Sequence, residues 1–312
     1  MVTRLVGDIG GTNARFAWVG ASGRPQGSET LAVRDYPGIA EAISAFAGDR
    51  TIAEACIAVA CPAHDDVIRF TNSPWQFSQR GLKERFGLDR LVVVNDFTAL
   101  ALSVPGLGEG EIERIGGGDT ISGAPIAVIG PGTGLGVSGL VQRNGQWAAL
   151  SGEGGHVGFA PADEEEIEIL KVLAKRFGRV SVERLLSGAG LKNLYDALCQ
   201  IEGTAGTAED AAAISRLGLA GEDPAAVAAI ERFCLILGSV AGDLALTLVA
   251  RGGAYIGGGM APRFLEVLRS GGFRRRFEDK GRFRDLMSSI PTFVITAENP
   301  ALIGAAEHLV HG

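Results

Sequence analysis

The sequence predicts an α/β fold in two lobes with a cleft between them, and three observations lead there. The chain has 312 residues, more than one hydrophobic core usually organises, so two lobes are expected and ligands favour the cleft between lobes. Short apolar runs alternate with helical patterns over the first hundred residues. Two stretches, LVGDIGGTNARFAWVG from residue 5 and IAVIGPGTGLGVSGLV from residue 126, share the form strand, Gly-rich turn with Thr, strand. Each lobe would then open on a hairpin whose turn points into the common cleft.

Element by element, the first stretch reads as a hairpin turning at Gly10-Gly11, where the glycines are expected to supply positive φ. GIAEAISAFAGD follows as a helix, ACIAVA as a buried strand, and LVVVN as a second buried strand that ends at Asn95-Asp96 before an apolar helix. Residues 104–123 are rich in Gly and acid and are the expected crossing between lobes. After the second hairpin, helical patterns cover 164–178, 181–198 and 223–253. AYIGGGMAPRF is a strand running into three glycines, then an amphipathic segment from near Pro262. Residues 272–286 mix bases and acids as a solvated helical face does, and ENPALIGAAEHLV is a closing helix begun by Asn299-Pro300. Residues 1–106 with 297–312 form the expected small lobe and 107–296 the large one.

Composition narrows the function classes. A formal net charge of -7 gives no general attraction for nucleic acid or an anionic membrane, so any phosphate site must be local. The start of the chain lacks the pattern of an export signal, and a cytoplasmic protein is expected. The apolar run 234–250 contains Asp243, Gly238 and Gly242 and reads as a buried helix of a soluble protein. Cys56, Cys61, Cys199 and Cys234 form no C-x-x-C pair and read as reduced, packed thiols. Glycine is unusually frequent, at 46 residues, about twice the ordinary share, which implies turns or close backbone approaches to a ligand.

Three Gly-rich turns at strand ends resemble phosphate and nucleotide loops, in which successive backbone N–H groups bind oxyanions. The sequence has no Gly-Lys dipeptide and no G-x-S-x-G, which excludes a P-loop and argues against a serine-hydrolase fold. Without a loop lysine the phosphate charge calls for Mg²⁺, and Asp8 stands beside the first loop as its anchor. Asp96 is either a helix cap or a general base for an attacking hydroxyl, with Asn95 binding the same substrate. In LSGEGGHVGFAP, Glu153 and His156 sit among glycines that can aim side chains at a polar ligand. Glu183 falls in the first turn of a helix expected to be capped by Ser181, a placement the helix dipole alone could account for. Together these acids, the amide and the imidazole offer the donors and acceptors that a ring of sugar hydroxyls requires.

DIGGTNAR, VVVNDFTALAL, IGPGTGLGV, SGEGGHVGFAP, VSVERLLSGAGL and IGGGMAPRF, in order from about residue 5 to 305, resemble the bacterial glucokinases, ATP-dependent hexose kinases of the actin and hexokinase (ribonuclease H-like) fold. The resemblance implies transfer of phosphate from Mg-ATP to the 6-hydroxyl of glucose, the entry step of glycolysis. It implies Asp96 as catalytic base, and Asn95, Asp96, Glu153, His156 and Glu183 around glucose, with Asn72 at the sugar mouth. Gly7, Asp8, Ile9, Gly10, Gly11 and Thr12 would surround ATP with Gly132, Thr133, Gly134, Gly257, Gly258 and Gly259, and Asp8 would face the metal. No Cys-rich run follows His156, so no structural zinc is expected. A homodimer is suggested, with no nucleic-acid or membrane partner. The alternatives are another hexose or amino-sugar kinase, a sugar-sensing regulator or a protein-directed ATPase of the same fold; a regulator would need a DNA-binding segment, and no basic helix-turn-helix precedes the first strand. CPAHDD (61–66) departs from the pattern expected of the family and has no function assigned.

Overall fold

A computed structural model describes residues 2–70 and 73–311. Its backbone separates into two compact units, one of residues 1–111, 140–151 and 297–312, the other of 112–139 and 152–296. The tip of the second hairpin, 140–151, thus groups with the N-terminal unit, a membership the apolar pattern of the chain does not announce.

Among its described residues, the first unit contains β1 (Arg4–Ile9), β2 (Asn13–Val19), β3 (Pro25–Ala32), α1 (Ile39–Ala47), β4 (Glu54–Val59), β5 (Val67–Arg69), β6 (Gln76–Ser78), α2 (Gln79–Phe86), β7 (Arg90–Asn95) and α3 (Asp96–Ser103). Its sheet has the order β3-β2-β1-β4-β7. β1 pairs antiparallel with β2 and parallel with β4, which pairs parallel with β7. The parallel strands are nearly continuous apolar runs because both faces are covered. Leu5, Ile9, Phe16, Ile57 and Ile43 of α1 pack on one side. Val6, Ala17 and Cys56 pack on the other against Leu302, Ala305 and Leu309 of the closing helix. The register aligns Asp8 with Ala58, Ala58 with Val94, and Val59 with Asn95. Asp8 and the Asn95-Asp96 pair therefore emerge at the same carboxyl end of the parallel strands, where α/β sheets bind ligands.

The second unit carries β8 (Ile112–Gly116), β9 (Ile126–Pro131) and the start of β10 (Leu135–Arg143), whose end groups with the first unit together with β11 (Gln146–Gly152) up to Ser151, and then α4 (Glu164–Phe177), α5 (Gly188–Glu202), α6 (Ala211–Leu219) and α7 (Pro224–Leu248). β12 (Gly253–Ile256), α8 (Leu265–Arg269), α9 (Gly272–Glu278), α10 (Arg284–Ser289) and β13 (Thr292–Ile295) follow, before α11 (Pro300–His311) returns to the first unit. The sheet order is β11-β10-β9-β12-β13-β8. The stretch 104–123 holds the edge strand β8, and the boundary between units falls within it, after Glu111.

α7 starts with Pro224 at its first position and Asp223 accepting bonds from the amides of Ala225 and Ala226, a strong N-terminal signal. It is long and apolar enough to cross a membrane, yet it packs as the central helix of the second core, with Phe233, Ile236 and Leu237 buried. Gly238 and Gly242 are where α9 crosses it. A Cβ at either would stand 2.2 Å from the Phe273 carbonyl or 2.6 Å from that of Phe277. Beneath α4, Glu166 is buried and accepts bonds from Arg276 at 2.6 Å and Arg232 at 3.1 Å, while Asp163 caps the helix and meets the same two arginines.

Two expectations need correction. The pattern 181–198 is not one helix: Val182–Arg184 is a short 3-10 turn in which Ser181 makes no side-chain cap, and α5 begins at Gly188 with Ser187 accepting from the Gly190 amide. The two Ser-initiated starts lie six residues apart, and only the second leads into a sustained apolar face. The turn at Gly10 also does not adopt positive φ; a Gly10 N–H to Asn13 carbonyl bond of 2.9 Å closes it. CPAHDD, in turn, acquires a structural account. Asp66 accepts bonds from the Ser78 hydroxyl and the Arg80 amide at the start of α2, and the Gln79 side chain donates to the Asp65 carbonyl. His64 is exposed, and Cys61 lies past the end of β4, buried like the other three thiols.

Candidate functional site

In the first unit the chemistry gathers at the ends of β1 and β7. Asn95 caps α3, its Oδ1 accepting from the amides of Phe97 at 2.9 Å and Thr98 at 3.2 Å. The cap anchors the first turn of α3 and so holds Asp96, its first residue, at the mouth of the strand ends. The Asp96 carboxylate accepts one bond from the Phe97 amide. Its pKa is nonetheless pushed up to about 6, first by burial and then by the charge of Asp8; bonds from the backbone and from Asn95 pull only partly the other way. Cys61 is close enough for Asp96 to raise its thiol pKa further, beyond the effect of burial.

Asp8 is raised too, by burial, with Arg15 opposing. Arg15 stands at the directly paired position on β2, its Nη1 3.4 Å from Asp8 Oδ2. A partly buried carboxylate with one guanidinium at 3.4 Å and a second carboxylate nearby is incompletely neutralised, which suits it to a divalent cation carried in by a substrate. Among the described residues no group of three or more His, Cys, Asp or Glu is arranged to hold a metal by itself. Arg15 lies inside the DIGGTNAR motif but attracts no separate notice there; the signal for it is the two-strand register, which a hairpin with a three-residue turn dictates.

In the second unit, Glu183, His156 and the second glycine turn come together. Glu183 Oε2 accepts from the Leu135 amide at 2.9 Å, and its Oε1 lies 3.9 Å from His156 Nδ1. The loop carrying Glu153 and His156 is laid against residues 180–182 by bonds from Phe159 to Val180 and from Val182 to Val157. Gly155 permits that path, since a Cβ there would fall 2.2 Å from the Leu135 carbonyl. Glu153 begins the short turn Gly154–His156 and is exposed. The third glycine cluster joins the second: the Gly257 amide bonds to the Ile129 carbonyl and the Met260 amide to Pro131, because β12 lies beside β9 in parallel.

The proposed loop glycines divide into two kinds. Gly7 packs against Ile57 and Phe16, a Cβ on Gly134 would meet Glu183 at 2.6 Å, and Gly258 has φ +77° with a Cβ position 2.3 Å from the Pro131 carbonyl. Backbone conformation and close contact with the chain require glycine at Gly258, and side-chain crowding favours it at Gly7 and Gly134. At Gly10 the nearest atom to a Cβ is 3.5 Å away, and at Gly132 and Gly259 nothing lies within 4 Å; none of the three has positive φ. Neither local conformation nor packing accounts for these glycines, and the space beside each is open to the close approach of an external group. Thr12 and Thr133 are exposed beside them, whereas Ile9 is wholly buried and can offer only its backbone. Asn72 lies outside the described residues.

Sequence and structure comparisons lead to one group of proteins. A family model described as Glucokinase matches residues 5–311. The chain is 50% identical over 314 residues to a glucokinase of Aromatoleum aromaticum, covering 98% of this chain and 94% of that one. It is 48% identical to a glucokinase of Hahella chejuensis, covering 98% and 96%. The crystal structure of a glucokinase from an Antarctic psychrotroph superposes with a TM-score of 0.92 over the whole of both chains at 36% identity.

Proposed function

The chain belongs to the glucokinase family, with its two-lobed actin and hexokinase-like fold, and on that premise we propose that it transfers the γ-phosphoryl group of Mg-ATP to the 6-hydroxyl of D-glucose. The observation that carries the residue assignment is Asp96: a carboxylate fixed by a capped helix start, at the ligand-binding end of a parallel sheet, with its pKa raised to about 6. A base so poised is ionised at neutral pH yet strong enough to accept a hydroxyl proton. As the glucose O6–Pγ bond forms and the bond from Pγ to the bridging oxygen breaks, the 6-hydroxyl proton passes to Asp96 and ADP carries away the bridging oxygen. Little covalent work falls to the protein, and alignment and charge stabilisation supply the rate.

Glu153, His156 and Glu183 are assigned to the sugar hydroxyls. Asn95 contributes its amide N–H₂, since Oδ1 is committed to the helix cap, and Asn72 is assigned to the sugar as well. Gly10, Gly132 and Gly259 admit the phosphates to the backbone, with Gly7, Ile9, Gly11, Thr12, Thr133, Gly134, Gly257 and Gly258 completing the nucleotide loops. Asp8 faces the Mg²⁺ that arrives with ATP. A cytoplasmic enzyme assembled as a homodimer belongs to the same proposal and rests on family membership alone.

The test is ADP release from Mg-ATP, measured with and without glucose. Glucose-dependent release that falls by on the order of 10²–10⁴ in Asp96→Asn supports the reading. Near-normal turnover in that variant, or release indifferent to glucose, overturns it.

A further inference from the structure

We infer that a second ligand site, for a small sugar phosphate, lies in the first unit between α3, α11 and the tip of the β10–β11 hairpin. Two adjoining recesses, of about 450 and 460 Å3, open there and share Leu102, Gln146, Trp147 and His308. None of the functional assignments above uses any residue of this groove. Each recess falls within the size range of small-molecule pockets.

The lining selects the ligand. Trp147, Leu102 and Val94 offer an apolar and aromatic surface against which the C–H face of a sugar ring packs. Asn144, Ser151 and Thr98 offer hydrogen-bonding groups to hydroxyls. The first recess is lined by no acidic residue although acids outnumber bases in the chain, 36 to 29. Its one guanidinium, Arg143, has no ion-pair partner among the described residues, so its charge is available to a phosphate. The turn that carries Arg143 is also fixed in its backbone. Asn144 and Gly145 both have positive φ, the two-residue turn that matches hairpin twist, and Gln146 Nε2 bonds to the His311 carbonyl at 3.1 Å.

The groove floor is continuous with the machinery of the proposed reaction. Val94 precedes Asn95 and Asp96 on β7, and Thr98 lies in the first turn of α3. The Thr98 hydroxyl is 2.9 Å from that of Ser151, which stands two residues before Glu153. A ligand that displaces or strengthens this hydroxyl pair acts on both the Asp96 turn and the Glu153 loop. That coupling rests on the roles proposed for Asp96 and Glu153; binding in the groove does not.

Binding is therefore measured first, without ATP or turnover, by calorimetric titration with fructose 6-phosphate, and by comparison with fructose and inorganic phosphate. The expected result is a Kd of about 0.1–1 mM for the sugar phosphate. Arg143→Gln should weaken it by about tenfold or more, as should Trp147→Ala, while both variants retain glucose-dependent ADP release. Wild type should also show a changed apparent KM for glucose in the presence of fructose 6-phosphate, and Arg143→Gln should not. No binding at about 10 mM, or equal binding by wild type and both variants, overturns the site. Binding that is intact in the variants but competed away by glucose assigns the sugar phosphate to the catalytic centre instead and equally overturns it. Retained groove binding in an enzyme indifferent to glucose would refute the proposed reaction and leave the groove standing.

Discussion

Replacing Asp96 by Asn should make the first unit more stable while it removes turnover, and the size of the gain follows from the site. The carboxyl titrates at about 6 in the folded protein against an ordinary 3.8. Each pH unit of such a difference corresponds to about 1.36 kcal/mol, so keeping Asp96 ionised costs the folded state about 3 kcal/mol at neutral pH. Between 3.8 and 6 the native protein holds a proton that the unfolded chain has released, so this contribution makes stability fall as pH rises through that window. Above pH 6 the full cost stands; below about pH 4 both states are protonated and it vanishes. Asn is isosteric with the neutral acid, and its Oδ1 can keep the bond from the Phe97 amide, so Asp96→Asn recovers up to about 3 kcal/mol at pH 7–8 and close to nothing at pH 4. Trp18, Trp75 and Trp147 all belong to the unit that holds Asp96, so urea unfolding followed by tryptophan fluorescence reads the right part of the chain. A variant no more stable than wild type at pH 8, or one whose gain is the same at pH 4 and pH 8, would show that Asp96 carries no such cost.

The same titration governs activity. kcat/KM should be level above about pH 7 and drop roughly tenfold per unit below about pH 6, as Asp96 gains its proton; a profile flat to pH 5 would remove Asp96 as the base. The glycines give a paired forecast. Gly10→Ala and Gly132→Ala should leave the free energy of unfolding in urea within about 0.5 kcal/mol of wild type and raise KM for Mg-ATP, whereas Gly258→Ala, with its carbonyl clash, should unfold or lose more than about 3 kcal/mol. Unchanged ATP kinetics in both of the first two would mean that no phosphate approaches there. Glu166→Gln removes one of the carboxylates that Arg232 and Arg276 share while Asp163 still pairs with both, and should destabilise the second unit by about 1–3 kcal/mol, read by differential scanning calorimetry.

Strand ends are legible because they are local: a short apolar run closed by Gly, Asn or Asp needs no distant partner to be seen. LVVVN ending at Asp96 and AYI ending at three glycines both read correctly for that reason. Glu183 lies in a different element from the helix that its sequence suggests. Its backbone belongs to a 3-10 turn, and what fixes its carboxylate is the Leu135 amide, 48 residues away in sequence. Ser181 and Ser187 look equally good as helix starts in the letters, and only packing of the face beginning at Leu191 chooses between them.

The sequence by itself determined the α/β alternation, the three glycine turns and the family, because these depend on residue type and near spacing. The tertiary structure alone decided that Arg15 faces Asp8, that Asp96 carries a raised pKa, and which glycines the fold requires and which it leaves open. It also decided that the hairpin tip at 140–151 joins the N-terminal unit and closes a groove with α3 and α11. Each of these depends on strand register, burial or the approach of segments far apart in the chain, and such distances are set by the whole core rather than by any stretch of letters.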